Sequence, residues 1–312
     1  MNINNPVWPD TMADPAALKV GNRYYAYGTG PHSKTDGRAF RVLGSHDFAH
    51  WQEVGGALTP LADPAKKFYW APEVAERDGT FFMYYSAGGP AGEGHQLRLA
   101  TATKPEGPFT DTGRVLLPSE PFSIDGHPFR DPKDGRWYLY FAKDFLDGDR
   151  PGTGTAVVPL GDDMAPTKEK PRTAVRATAD WQIFERSREW LGKTWPAWHT
   201  VEGPFVVFHD GRYYLFYSGG RWESDTYGVG YAVADHPLGP WKDEQAKNGA
   251  TILRTLPGKI IGPGHNSVVK GPDGKDYIVY HAWDTGHTAR RMFISPLEWT
   301  ASGPRVPGYE RG

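Results

Sequence analysis

Residues 123–141 read SIDGHPFRDPKDGRWYLYF, an acidic segment followed by a glycine and an aromatic strand. The glycine-led aromatic strand recurs four more times along the chain. The five copies are GNRYYAY (21–27), GTFFMYY (79–85), GRWYLYF (135–141), GRYYLFY (211–217) and GKDYIVY (274–280). Their first glycines are 58, 56, 76 and 63 residues apart, and repetition of a strand-forming segment at such a period is typical of β-propellers. The sequence therefore predicts an all-β fold, a five-bladed β-propeller.

The residues around each aromatic strand indicate how one blade is built. A strand with polar residues precedes the aromatic strand, and a strand of small residues follows it, as in 39–44, 97–102 and 228–234. The second and fourth repeats then end in Gly-Pro-aromatic, a sequence that favours a turn. Because the repeats run from about residue 14 to about residue 299, we expect residues 1–312 to form a single propeller domain.

The spacing is longest between the third and fourth copies. Residues 142–200 contain about 15–20 residues more than the matching parts of the other repeats. Insertions into propeller repeats lie on one face, which is often the binding face. We therefore expect an elongated blade edge and a loop that wall off one end of the binding site.

The composition of the chain excludes several classes of partner and chemistry. Its 312 residues carry a formal net charge of −2 without a basic stripe, so nucleic acid is not expected to bind. No apolar run approaches the roughly 20 residues of a membrane-spanning helix, so no membrane partner is expected. The N-terminus lacks the features of a signal peptide; as written, the chain is expected in the cytoplasm, although a secreted protein after signal-peptide removal would look the same. Without cysteine, disulfides, thiolate metal sites and cysteine nucleophiles are excluded.

The first strand of every propeller blade faces the central axis, so polar residues on these strands converge. Reading upstream of each aromatic strand gives five clusters, four with an acid and the last with a histidine. The clusters are 12–18 with Asp14, 70–74 with Glu73, 123–127 with Asp125, 200–207 with Glu202 and 262–269 with His265.

Each of these polar residues has an ordinary structural explanation when it is taken alone. Asp-Pro and Asp-Gly are common turn sequences, Glu-Gly-Pro usually marks an exposed loop, and a lone histidine is usually a core residue. The joint pattern is more informative, because we expect the acids at one phase of the repeat and within several ångströms of one another. Since burying a lone carboxylate costs on the order of several kcal/mol, such acids need a function.

The chain as a whole resembles glycoside hydrolase family 43, the five-bladed propeller arabinofuranosidases, arabinanases and xylosidases. The resemblance covers essentially the whole length, with the motifs in the same order, and it is greatest for the single-domain arabinofuranosidases. The matching positions are Ala13-Asp14-Pro15, Ser45 with Asp47 and Trp51, Trp70 with Glu73 and Val74, Ser123 with Asp125 and His127, Glu202-Gly203-Pro204, Gly264-His265, and Arg290 before Pro296–Trp299.

The resemblance implies three catalytic carboxylates and inversion of configuration. Asp14 would be the general base, Glu202 the general acid, and Asp125 the carboxylate that orients the acid and raises its pKa. Hydrolysis of a glycoside needs a proton for the departing oxygen and an activated water on the opposite face of the ring. A nearby carboxylate disfavours the ionised form of Glu202 and so keeps the acid protonated.

The resemblance also implies substrate and metal contacts. Trp70 would stack on the sugar, Arg290 or the neighbouring Arg291 would donate hydrogen bonds to it, and Glu73 and His127 would join these substrate contacts. His265 matches a histidine near the propeller axis that in many relatives helps to hold a calcium ion or its waters. Calcium is therefore the expected cofactor, and no organic cofactor is expected.

The substrate expected from this resemblance is an arabinofuranoside. Xylosidases of the family commonly have an additional sandwich domain over the pocket, whereas this chain ends at Gly312 after the fifth repeat, and its 296–304 ending resembles that of the single-domain arabinofuranosidases. We therefore expect removal of terminal α-L-arabinofuranosyl units from arabinan or arabino-oligosaccharides. A β-xylosidase or an endo-arabinanase of the same family is the alternative.

Other functions on a similar fold match the sequence less well. A retaining fructosidase would need an Asn-Asp-Pro-Asn nucleophile motif and a Glu-Cys acid, but the chain has Ala-Asp-Pro-Ala at 13–16 and no cysteine. A mannoside phosphorylase is a further relative of similar fold. From another class, a non-catalytic propeller that binds sugars would have no need of three inward acids.

Overall fold

Antiparallel strands make up nearly all of the regular structure in the computed structural model, which describes residues 3–309. The first blade consists of β1 (Ala13–Val20), β2 (Arg23–Thr29), β3 (Ala39–Ser45) and β4 (Gln52–Leu58). The second consists of β5 (Phe68–Arg77), β6 (Thr80–Gly88), β7 (Gln96–Ala102) and β8 (Thr110–Val115). The third consists of β9 (Ser123–Arg130), β10 (Trp137–Phe145), β11 (Gly152–Pro159) and β12 (Arg172–Thr173).

The second half of the ring is built in the same way. β13 (Ile183–Trp190) pairs with the N-terminal part of β14 (Lys193–His209). The C-terminal part of β14 is the inner strand of the fourth blade and is followed by β15 (Arg212–Gly219) and β16 (Gly228–Ala234). The fifth consists of β17 (Ile261–Lys270), β18 (Asp276–Trp283) and β19 (Arg290–Pro296), followed by the small hairpin β20 (Glu298–Thr300) and β21 (Gly303–Arg305). The helical segments within residues 3–309 are the short 3-10 turns Pro90–Gly92, Asp180–Gln182 and Ala246–Asn248, and no helix there could cross a membrane.

This arrangement confirms the predicted five-bladed β-propeller. Every glycine-led aromatic segment forms the second strand of its blade (β2, β6, β10, β15 and β18) and pairs with the inner strand before it. The apolar core is divided into five clusters, each containing residues from two neighbouring blades. Large aromatic side chains such as Tyr27, Tyr85 and Tyr140 are fully buried in these clusters, because flat rings bury a large area between facing sheets.

Residues near the N-terminus close the ring. The backbone N–H groups of Val7 and Met12 donate to the carbonyls of Met292 and Arg290 on β19, at 2.9 and 2.8 Å. The side chain of Asn5 pairs with the backbone of Ile294 through its amide nitrogen and its oxygen, at 2.7 and 2.8 Å. The outer edge of the fifth blade is therefore completed from the opposite end of the chain.

The insertion at 142–200 is more ordered than the expected loop. Its second half forms a hairpin of β13 and the N-terminal part of β14, paired from Ile183 with His199 to Trp190 with Lys193. The start of β11 also pairs in parallel with β14, through Gly152 and His199. This pairing joins the third and fourth blades into one continuous sheet.

Each inner strand contains the same β-bulge, in which two residues oppose one residue of the second strand. The first bulge residue has a left-handed backbone, with φ between 45° and 57°. These residues are Asp14, Ala71, Asp125, Gly203 and His265. Glycine commonly occupies this position, but only one of the five blades has it. Non-glycine residues are strained at positive φ, and such strain is concentrated at functional sites.

Candidate active site

Three of the four predicted acids lie in one pocket of about 890 Å³. Asp14, Asp125, Glu202 and His265 all line it, contributed by the first, third, fourth and fifth blades. The expectation that all acids share one phase was wrong for Glu202, which precedes the bulge residue Gly203 by one position, and for Glu73, which follows the bulge residue Ala71 by two. Because Gly203 itself has φ +56°, the backbone turns at this point and Glu202 still reaches the pocket.

Asp14 is surrounded by basic side chains. Its Oδ1 lies 3.4 Å from His265 Nδ1 and 3.5 Å from an Arg290 guanidinium nitrogen. Its backbone N–H donates to His281 Nδ1 at 3.0 Å. Burial opposes ionisation, but the positive charges of His265 and Arg290 outweigh it and hold the pKa of Asp14 well below its usual range. Asp14 is therefore an ionised carboxylate at neutral pH.

His281 is held in the neutral state beneath Asp14. Its side chain is fully buried, and this burial lowers its pKa to about 4. Since Nδ1 accepts the backbone N–H of Asp14, the proton of the neutral ring is on Nε2. His281 therefore fixes the backbone of Asp14 without adding a positive charge.

Asp125 is bound to the backbone of the fourth blade. The N–H of Gly203 donates to its Oδ2 at 2.9 Å. Burial, reinforced by the charge of Asp14 and opposed by His265, raises the pKa of Asp125 to about 6. A Cβ at position 203 would lie 3.1 Å from the His265 ring. Glycine at this position therefore leaves room for the ring while its N–H donates to Asp125.

Glu202 has the properties of a proton donor. Burial and the nearby negative charge of Asp125 raise its pKa to about 8. The hydroxyl of Tyr227 donates to its Oε1 at 2.7 Å, which leaves the second oxygen to carry the proton. A Cβ at Gly264 would lie 2.2 Å from the Tyr227 ring, so only glycine allows the tyrosine to occupy this position.

Aromatic side chains and Arg290 complete the pocket wall. The indole of Trp70 stacks on the His95 ring, with centroids 3.6 Å apart and planes 16° apart. The guanidinium of Arg290 lies 4.3 Å from the centre of the Trp222 ring. Both Trp70 and Arg290 line the pocket, as expected of sugar contacts, whereas Arg291 is paired with Asp284 at 3.0 Å.

Known proteins share this chain's sequence pattern and its structure. The pattern of the family described as glycosyl hydrolases family 43 matches residues 3–304. The chain belongs to glycosyl hydrolases family 43. A β-D-galactofuranosidase of Aspergillus niger is 32% identical, covering 94% of this chain and 80% of its own. A β-xylosidase of Xylanibacter ruminicola is 28% identical, covering 94% and 95%. A crystal structure of a thermostable family-43 glycoside hydrolase has a TM-score of 0.84 and 32% identity, covering 100% and 97%.

Two predicted substrate contacts of this family 43 chain lie outside the pocket that contains the acids. Glu73 Oε2 and His127 Nδ1 are 2.7 Å apart, and both line a second, smaller cavity of about 290 Å³. They follow the bulge residues of their strands by two positions. The structure therefore does not bring them together with Trp70 and Arg290.

The expected calcium ion fits the residues around His265 poorly. Calcium prefers six to eight oxygen ligands, but residues 3–309 contain no group of three or more His, Asp or Glu side chains arranged to hold a metal ion. Burial opposes protonation of His265, but the neighbouring carboxylates, Asp14 foremost, outweigh it and raise its pKa. A raised pKa disfavours the neutral imidazole that a metal ion needs as a ligand. Calcium held through waters stays a prediction.

Sequence reasoning missed several residues of this site. Tyr227 precedes β16 and belongs to none of the five polar clusters. His281 was detectable in principle, because it is a histidine inside the apolar segment YIVYHAW (277–283). The pocket-facing residues of the hairpin β13–β14 gave no periodic signal, since the insertion interrupts the repeat.

Proposed function

We propose that this family 43 hydrolase removes single terminal α-L-arabinofuranosyl units with inversion of configuration. The observation that carries the proposal is the division of protonation states in one pocket. Asp14 is held ionised by basic neighbours, whereas Glu202 is held protonated by burial and by Asp125. Two carboxyl groups whose environments separate their pKa values are a base and an acid.

The reaction follows from these two states. Asp14 accepts a proton from a water molecule, whose oxygen attacks the anomeric carbon. Glu202 gives its proton to the glycosidic oxygen as the bond between this oxygen and the anomeric carbon breaks. Tyr227 holds one oxygen of Glu202 in place, and Arg290 and His265 keep the charge on Asp14 until the water is deprotonated.

The shape of the pocket supports action at a chain end. The hairpin β13–β14 reaches across the pocket, where Trp190 packs edge-on against Phe122 with ring centres 6.3 Å apart. Trp70, Phe122 and Trp190 meet at Gly92, where an added Cβ would lie 3.6–3.9 Å from the three rings. A groove that these three aromatic rings block at one end accommodates the end of a polymer more readily than its middle.

A furanoside substrate is supported by the relative at 32% identity, a β-D-galactofuranosidase. β-D-Galactofuranosides and α-L-arabinofuranosides have the same ring configuration and differ by one CHOH group outside the ring. β-D-Galactofuranosides are therefore the second candidate substrate class. The β-xylosidase at 28% identity supports a third, the β-xylosides.

Product analysis tests the proposal. With linear arabinan, we expect free arabinose as the first product, and NMR taken in the first minutes should show the β-anomer. Nitrophenyl arabinofuranoside, galactofuranoside and xyloside compared at equal concentration rank the three candidates. Early release of mixed oligosaccharides would indicate an endo-acting enzyme, and fastest turnover of either alternative glycoside would replace the arabinofuranoside.

The Asp125→Asn enzyme should show an altered pH profile. The alkaline limb of kcat/KM follows loss of the proton from Glu202, whose pKa is raised first by burial and then by the Asp125 charge. Removing this charge lowers the pKa, so the limb moves to lower pH, while burial keeps it above that of an ordinary glutamate. Activity at neutral pH should also fall. A limb at its original pH would mean that Asp125 only positions the acid or the sugar.

A further inference from the structure

The hairpin β13–β14 forms the pocket wall on the side of the acid. Arg188 on β13 packs over Trp198 on β14, and Glu202 follows four residues later on the same strand, about 13 Å along it. The acid protonates the oxygen of the departing group, so this group leaves on the side of Glu202. The hairpin residues that line the pocket therefore face the leaving group.

Arg188 is the positively charged side chain that the hairpin β13–β14 contributes to the pocket wall. Its guanidinium lies over three aromatic rings, 4.7 Å from the centre of Phe184, 5.0 Å from Trp190 and 5.5 Å from Trp198. The carboxylate with which it forms an ion pair, that of Glu185, is 3.8 Å away, which is beyond hydrogen-bond distance. Its Nε is buried without a hydrogen-bond partner among residues 3–309. An arginine has five N–H donors. Since Nε–H is closed to solvent, the terminal NH2 groups of this side chain, which is 18% exposed and lines the pocket, are the donors that a ligand can reach.

Acidic groups close to Arg188 indicate what kind of ligand its N–H groups would bind. Glu185 is shared with Arg221 at 3.7 Å, and Arg221 also pairs with Glu223 at 3.2 Å. Asp144 accepts the Trp190 indole N–H at 3.0 Å. These three carboxylates outnumber the two arginines, so a negatively charged ligand would be repelled. A neutral group that both donates and accepts hydrogen bonds and also has an apolar face would fit; a sugar has these properties.

We propose that Arg188 is a specificity-determining residue that donates hydrogen bonds to hydroxyl groups of a neutral leaving-group sugar. The proposal rests on the proposed function only in placing the leaving group next to Glu202, and it does not depend on which sugar is removed. It follows that substrates with a sugar leaving group use a contact that hydroxyl-free aryl glycosides lack.

The test compares two substrates that share the sugar to be removed. We expect Arg188→Met to lower the ratio of kcat/KM for α-1,5-arabinobiose to kcat/KM for nitrophenyl arabinofuranoside by at least about tenfold. Arg188→Lys keeps the charge but not the planar donors, and should give an intermediate ratio. Arg186→Met is the matched control, since Arg186 is exposed on the same strand and does not line the pocket; its ratio should equal that of the wild type.

The outcomes separate this proposal from the proposed function. A wild type that prefers galactofuranosides or xylosides overturns the arabinofuranoside assignment, and the same ratio is then measured with the matching disaccharide and nitrophenyl glycoside. An unchanged ratio in Arg188→Met, or equal losses on both substrates, overturns the role of Arg188. A wild type that hydrolyses no glycoside overturns both proposals. Melting temperatures of the variants identify a loss caused by misfolding, in which case Arg188→Lys decides.

Discussion

Glu202→Gln is expected to lower kcat on arabino-oligosaccharides by about 10²–10⁴-fold, the usual contribution of a general acid. Glutamine has nearly the shape of glutamate, and its carbonyl oxygen can still accept the hydroxyl of Tyr227, which is 2.7 Å from Oε1. The substitution therefore removes the transferable proton and preserves the packing. A sugar alkoxide departs poorly without this proton, which is why the loss is large.

The dependence on the leaving group distinguishes a lost acid from general damage. A nitrophenolate departs without a proton, so nitrophenyl glycosides should lose much less activity than oligosaccharides in Glu202→Gln. The alkaline limb of the pH profile should also disappear, since it follows Glu202, whose pKa is about 8. Near-normal oligosaccharide turnover, or an equal loss on both substrates, would remove Glu202 from the role of acid.

Asp14→Asn should lower kcat by at least about 10²-fold on all substrates, whatever their leaving group. The base acts on the attacking water, and this step is needed for nitrophenyl glycosides and oligosaccharides alike. Asparagine is the appropriate replacement, because residue 14 has φ +51° and asparagine tolerates this backbone conformation.

The control for Asp14→Asn is its pH profile and its melting temperature. Glu202 is intact in this variant, so the residual activity should still decline on the alkaline side. The unfolding transition should remain cooperative, since the backbone N–H of residue 14 can still donate to His281. Retention of wild-type kcat on nitrophenyl glycosides would mean that another group deprotonates the water.

The fold could be predicted because each blade repeats a local pattern. A glycine-led aromatic strand is visible without any knowledge of its partners, and five copies indicated five blades. The closing segment at Val7–Met12 was not predicted, because its hydrogen bonds are made to β19 and the segment has no repeat signal of its own. Hydrogen bonds between segments that are distant in sequence form only when the ring is complete, so a local sequence pattern does not reveal them.

The site could be predicted only as far as residue type and order. Asp14, Asp125 and Glu202 were found as acids in segments that face the axis, and all three line one pocket. Glu73 was assigned to the same site because it belongs to an equivalent cluster, but it lies two positions past its bulge residue and lines the second cavity. Two positions past a bulge residue, the side chains of Glu73 and His127 face the second cavity, and the sequence does not show where the bulge lies.

The closure of the ring determines when the active site exists during synthesis. Asp14 leaves the ribosome early, whereas its partner His281 follows 267 residues later in the chain. At about 5–20 residues per second, roughly 13 to 53 s pass between them. Until the fifth blade is made, Asp14 lacks His265, His281 and Arg290, the neighbours that fix it in the folded site. Hydrolysis therefore begins only when the fifth blade has docked on the first.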